Sequence, residues 1–111
     1  MKYDILLMGV GGTGVLTTQV IIARAANMEG YYVRGVQLHG LAQRGGVIPA
    51  FIRLCSEYEI SSPGIMQANA DLIIAFEPLE ALRAIYYARK DKTIFIINNH
   101  PLIPVYANIL N

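Results

Sequence analysis

The residues best placed for chemistry lie in two glycine-rich stretches. The first follows the apolar run Ile5-Leu6-Leu7-Met8 and reads Gly9-Val10-Gly11-Gly12-Thr13-Gly14. Gly9, Gly11 and Gly14 match G-x-G-x-x-G, in which one glycine makes a tight turn, one lets the backbone approach a pyrophosphate, and one lets a helix pack on a strand. Gly12 adds another position without a side chain. Backbone amides and the positive end of a following helix would meet there, an arrangement that favours an anion. A glycine turn that only lets the helix pack closely is the plainer alternative. An ordinary NAD site would place Asp or Glu about 20 residues further on, at the end of the second strand. The expected second strand ends instead in Gln37 and Leu38; Gln37 could bond a ribose and Arg34 could meet a phosphate, although both residue types are common on solvated strands. No Lys followed by Ser or Thr closes the glycine loop, which argues against a P-loop ATPase.

The second stretch, His39-Gly40-Leu41-Ala42-Gln43-Arg44-Gly45-Gly46, gathers an imidazole, an amide, a guanidinium and glycines where a buried strand is expected to end. Loops held by a rigid sheet often carry function. Arg44 could clamp a carboxylate or phosphate through its fork of donors, with Gly45 and Gly46 admitting the ligand. His39 could carry a proton and Gln43 could orient a ligand. A glycine-rich turn bonded to a partner's carbonyls is the competing reading, and it suits His39 taken alone, which has no base, metal ligand or nucleophile beside it. Glu77 is expected just after the fourth strand, at the edge where open sheets place ligands. It would equally well stabilise the start of a helix. Glu80 and Arg83, three apart, are expected to form a surface pair.

The elements that must hold these residues follow from periodicity. Strands are expected at 3–8, 31–38, 47–55, 71–76 and 93–98. Helices are expected at 13–28 and 78–88; Pro78 suits a first turn, and Leu79, Leu82, Ile85 and Tyr86 repeat at helical spacing. Strand, helix, strand at each end implies parallel units. Only Leu38 to Gly46 joins the second and third strands, too short for a crossover helix, so those strands are expected to pair antiparallel or to be joined by a large loop excursion. The fold class is α/β: a three-layer Rossmann-like sandwich with a mixed, mostly parallel sheet. Ser61-Ser62-Pro63-Gly64 marks a loop. The tyrosine doublets Tyr31-Tyr32 and Tyr86-Tyr87 are expected to set one ring in the core and one outside.

With 111 residues, the chain suits one domain but is short for a complete doubly wound sheet. Residues 1–111 are therefore expected to form a single, incomplete domain, with no final helix over the last strand. Hydrophobic residues make up 54% and charged residues 15%, a composition that expects company from other chains. A net charge of +1 provides no global field for nucleic acid or acidic membranes. No apolar run reaches the roughly 18 residues of a membrane span, with Lys2, Asp4, Arg24, Glu29 and Arg34 interrupting the N-terminal third, and Asp4 inside the first apolar segment argues against a signal peptide; the cytoplasm is the expected location. The single cysteine, Cys55, excludes an internal disulfide and cannot by itself hold an iron–sulfur cluster or structural zinc; no metal is expected on this chain.

Three segments in order, GVGGTGVLTTQVIIARAA, VQLHGLAQRGGVIPAFIRL and ADLIIAFEPLEALRAI, resemble the indolepyruvate ferredoxin oxidoreductase beta subunit. More broadly the chain is similar, from Tyr3 to about Pro104, to the gamma domain of the 2-oxoacid:ferredoxin oxidoreductases, the pyruvate/ketoisovalerate group included. The resemblance implies a subunit, inactive alone, of an enzyme that oxidatively decarboxylates a 2-oxoacid, passes electrons to ferredoxin and captures the acyl group on coenzyme A. Thiamine diphosphate and iron–sulfur clusters would belong to a larger partner subunit, and this domain would help to form the coenzyme A or interdomain site. An oligomer is implied, with ferredoxin reached through the complex. Gly9, Gly11, Gly12 and Gly14 match the family's glycine turn. His39, Gly40, Gln43, Arg44, Gly45 and Gly46 match its second loop, and Glu77 and Pro78 its third motif. No catalytic residue is assigned. Gln37 departs from the Glu that many relatives carry two residues before the His. A stand-alone nucleotide-binding or regulatory module is the alternative reading.

Overall fold

A computed structural model describes residues 1–10, 14–37, 47–60, 64–65 and 67–99, with the side chains of residues 47 and 48 excepted. Five strands form one sheet: β1 (Lys2–Val10), β2 (Tyr32–Gln37), β3 (Val47–Cys55), β4 (Leu72–Ala75) and β5 (Ile94–Ile97). Helix α1 (Val15–Met28) joins β1 to β2, and α2 (Pro78–Arg83) with the 3-10 segment Ala84–Tyr87 lies between β4 and β5. The strand order is β2-β3-β1-β4-β5. β3 runs antiparallel to both β1 and β2, while β1, β4 and β5 pair in parallel. The short link between β2 and β3 thus has the consequence expected of it: β3 is the single reversed strand in an otherwise parallel sheet.

β1 reads as a continuous apolar run because both of its faces are covered. Leu6 and Met8 join Phe51, Ile73 and Ala84 in a cluster on the α2 side. Ile5 and Leu7 join Val15, Ala50 and Ile52 on the α1 side. The helices therefore lie on opposite faces, giving the three layers. α1 turns Val15, Gln19 and Ala26 inward, positions that share one stripe of a 3.6-residue helix. It ends where Gly30 adopts φ 93° and Tyr31 N donates to Ala26 O at 3.1 Å, a glycine-terminated helix end.

Two buried polar contacts support this arrangement, one within the sheet and one between α1 and the sheet. Asp4 and Arg53 are direct partners across β1 and β3, and Arg53 Nε donates to Asp4 Oδ1 at 2.9 Å. Gln19 Nε2 reaches down from α1 to Phe51 O at 3.0 Å and Val36 O at 3.3 Å. Gly35 makes that approach possible, since a Cβ there would stand 3.2 Å from Gln19 Nε2.

The second helical segment departs from expectation in three respects. It is α-helical only to Arg83 and tightens to 3-10 over Ala84–Tyr87, as last turns often do. Its apolar repeat faces outward: Leu79 is 51%, Leu82 64%, Ile85 56% and Tyr86 57% exposed, while Ala81 and Ala84 pack inward. Small residues let the segment lie close on the sheet. Glu80, expected in a surface pair, is only 2% exposed. Its Oε1 lies 3.8 Å from Nη1 of the half-exposed Arg83, so the pair is one-sided and not a surface pair. The tyrosines divide as expected here, Tyr87 packing edge-on against Phe51 with ring centroids 5.5 Å apart and Tyr86 standing outside.

Candidate functional site

The strand order reverses between β1 and β4. The connection leaving β1 carries α1 to one face of the sheet, and the one leaving β4 carries α2 to the other. In open α/β sheets the crevice beyond the strand ends at such a switch point is where ligands bind. Met8 and Ala75 are register partners there, and Phe76 N donates to Met8 O at 2.9 Å. Glu77 consequently lies alongside the last residues of β1.

The same edge collects the flanks of both glycine stretches. Val10, the last residue of β1, pairs with Val47, the first residue of β3. Val10 directly precedes Gly11, and Val47 directly follows Gly46. Gln37, the last residue of β2, sits at this edge as well, opposite Ala50. Gly11, Gly12, His39, Gly40, Gln43, Arg44, Gly45 and Gly46 themselves lie outside the described residues.

Among the described site residues, Gly9 is buried within β1 and paired with Ile48. The strand thus runs two residues beyond the expected Met8, and Gly9 is not itself the turn. Gly14 caps α1 at φ 93° and ψ 13°, a left-handed conformation that costs a residue with a Cβ roughly 1–2 kcal/mol. A Cβ there would meet nothing within 4 Å, so the requirement for glycine is conformational and not one of space. Thr18 Oγ1 donates to Gly14 O at 2.8 Å. The first turn of α1 has neither a side-chain cap nor an acidic residue, which leaves its amides suited to an anion.

Glu77 is buried and acts as the N-cap of α2, its Oε1 accepting from Glu80 N at 2.9 Å. That carboxylate oxygen is engaged within the helix, and Pro78 follows at the first helical position, where a missing N–H costs nothing. Gln37, weighed above as a ribose ligand, donates through Nε2 to Gln19 Oε1.

Periodicity gave no sign of Gln19, Arg53 or Glu80 as interior groups. Gln19 could have been noticed as the polar member of the Val15, Gln19, Ile22, Ala26 stripe. Arg53 is flanked by apolar residues within its strand. Burial pushes the Glu80 carboxyl above the usual carboxylate range, Arg83 draws it back, and Glu77 raises it further. A groove of about 500 Å³ runs between α1 and β2, lined in part by Gln19, Val20, Arg24, Met28, Val33 and Gly35. None of the described site residues, Gly9, Gly14 and Glu77, lines it. Among the described residues no cluster of three or more His, Cys, Asp or Glu side chains could hold a metal ion. No described helix is long and apolar enough to cross a membrane.

Similarity to known proteins extends over most of the chain. The indolepyruvate oxidoreductase subunit IorB of Archaeoglobus fulgidus is 42% identical over 104 residues, covering 94% of this chain and 50% of its own. IorB of Thermococcus kodakarensis is 37% identical over 108 residues, covering 97% of this chain and 52% of its own. The chain thus spans about half the length of these curated relatives. In three dimensions it is similar to a 2-oxoglutarate:ferredoxin oxidoreductase of Magnetococcus marinus, with a TM-score of 0.72 and 18% identity over 93% of this chain and 18% of that one. At that identity the match speaks to the fold alone, and it bears out the mixed α/β sheet. Residues 4–109, which carry both glycine stretches and the Glu77-Pro78 motif, match the pyruvate ferredoxin/flavodoxin oxidoreductase family, and the chain belongs to that family.

Proposed function

We propose that this chain is the gamma-type part of an indolepyruvate-type 2-oxoacid:ferredoxin oxidoreductase, and that its switch-point edge serves the coenzyme A or intersubunit site. The observation that carries this reading is the Val10–Val47 pairing, which brings the flanks of both glycine stretches to one edge. The uncapped first turn of α1 stands at the same edge and fits the phosphates of coenzyme A. Arg44, in the loop that ends one residue before Val47, supplies the positive charge. Thiamine diphosphate and the iron–sulfur clusters reside on the larger subunit, which supplies the oxidative chemistry. A single cysteine on this stretch cannot ligate a cluster. Nothing in the comparisons favours a stand-alone nucleotide-binding module.

The test is Arg44→Ala in the assembled enzyme, with initial rates followed as coenzyme A and 2-oxoacid are varied separately. A charge-assisted hydrogen bond to a phosphate contributes about 1.5–3 kcal/mol, so the KM for coenzyme A should rise roughly ten- to hundredfold. The KM for the 2-oxoacid should not change. Unchanged kinetics together with unchanged assembly would exclude the role given to Arg44.

A further inference from the structure

The outward turn of Leu79, Leu82, Ile85 and Tyr86 leaves an exposed apolar ridge on the outer layer. These positions are spaced i, i+3, i+6 and i+7 and follow one side of α2 and the 3-10 segment for roughly 12 Å. Each is more than half exposed, although the layer beneath them is closed by Ala81 and Ala84. Four adjoining large apolar groups, all on one side of one element, differ from the scattered exposed hydrophobics of an ordinary surface.

The exposed charge beside the ridge is predominantly positive: Arg83, Arg89, Lys90 and Lys92 against Asp91. Arg83 stands within it, and the exposed Lys90 and Lys92 follow its Tyr86 end. Asp91 is the one exposed acid from residue 78 to residue 99, because Glu80 is buried. A second copy packed on this ridge by twofold symmetry would bring two basic flanks into one interface, and like charges there are unfavourable. A surface that is apolar along its centre and edged with Asp and Glu fits both features. We infer that the ridge Leu79-Leu82-Ile85-Tyr86 seats the larger subunit of the oxidoreductase through such an acid-edged apolar strip. This inference rests on the subunit reading given above.

The test compares wild type with Leu82→Glu, Ile85→Glu and with Lys90→Glu, Lys92→Glu, each mixed anaerobically with the purified larger subunit. Dissociation constants are read by sedimentation at low and moderate salt, and thermal melting of each free chain serves as the folding control. The apolar pair of substitutions should weaken association at least tenfold without moving the melting curve, because both side chains are already exposed. The lysine pair should weaken association and flatten its salt dependence. Leu82→Ala, Ile85→Ala should give a smaller loss in the same direction. Wild-type affinity in the apolar variant would overturn the inference while leaving the subunit reading intact. So would a wild-type homodimer that the variant splits, or slow amide exchange over residues 79–86 in the free chain, which would mean that its own polypeptide covers the ridge. If the wild-type chain fails to bind the larger subunit at all, the subunit reading falls together with this one.

Discussion

Glu80 has one carboxylate oxygen, Oε2, without a hydrogen-bond partner, although the side chain is almost wholly buried. A buried acceptor left unpaired costs about 1–3 kcal/mol. Burial disfavours the charged form, Arg83 at 3.8 Å offsets part of that, and Glu77 adds to it. The folded chain therefore retains a proton at pH values where the unfolded chain has released it. Stability linked to Glu80 is fully present below the ordinary carboxylate pKa, about 4.3, and is lost as pH rises through the higher folded-state value. Glu80→Gln cannot ionise, so its melting temperature should exceed that of wild type by an amount that grows from pH 4 to pH 8. A recovery of 1 kcal/mol corresponds to roughly 4–8 °C for a domain of about this size. Thermal melts across that range decide the point. A constant difference between the two proteins would mean that Glu80 titrates normally in the fold.

At the scale of elements, the contact between α1 and the sheet depends on Gly35 leaving room for Gln19. Gly35→Ala would push a methyl against Gln19 Nε2, and also to 3.4 Å from Phe51 O. Small-to-large changes at tight sites cost about 1–3 kcal/mol. With Gln19→Ala already in place, the same change should cost less, because the side chain it meets is gone. Urea unfolding of the four proteins in that cycle measures the coupling, and equal costs in both backgrounds would show that Gln19 does not press on β2. This contact was not legible in the sequence, because the carbonyls that receive Gln19 lie on β2 and β3, far away along the chain. What could be read were features with a local cause. The unbroken apolar run of β1 announced a strand covered on both faces, and the short link after Gln37 announced an antiparallel β3. Gly14 lay at the strand-to-helix junction where a left-handed residue is needed. The facing of α2 was hidden, since Leu79, Leu82 and Ile85 on one side and Ala81 and Ala84 on the other both read as a core stripe. Only the closeness of helix to sheet selects the small side. For the candidate site, the two glycine stretches and Glu77 were visible as motifs, whereas the meeting of the residues that flank the stretches required the register that pairs Val10 with Val47.

Across the whole molecule, cover is unequal, and local stability should follow it. β1 lies at the centre of the order, pairs with β3 and β4, and has its faces closed by the two core clusters. Its amides can open only when the sheet comes apart, so they should exchange at the rate set by global unfolding. β5 is an edge strand of four residues, with Ile94 and Ile96 exposed on the α1 side of the sheet. α2 is six residues long and presents its ridge to water. Both should open without the rest, since few buried apolar contacts oppose it. Hydrogen exchange on the free chain should therefore be slowest at Ile5 to Leu7 and at Ala50 to Ile52. It should be faster by roughly a hundredfold or more at Ile94 to Ile97 and at Leu79 to Tyr86, the separation expected when local opening costs several kcal/mol less than global unfolding. Uniform exchange across the sheet would mean that the chain opens as one cooperative unit and that its edge is as well held as its centre. If the ridge seats the larger subunit as inferred above, adding that subunit should slow Leu79 to Tyr86 selectively, because an interface protects the amides beneath it, while the Ile5 to Leu7 amides, already limited by opening of the whole sheet, slow only as far as binding stabilises the entire fold.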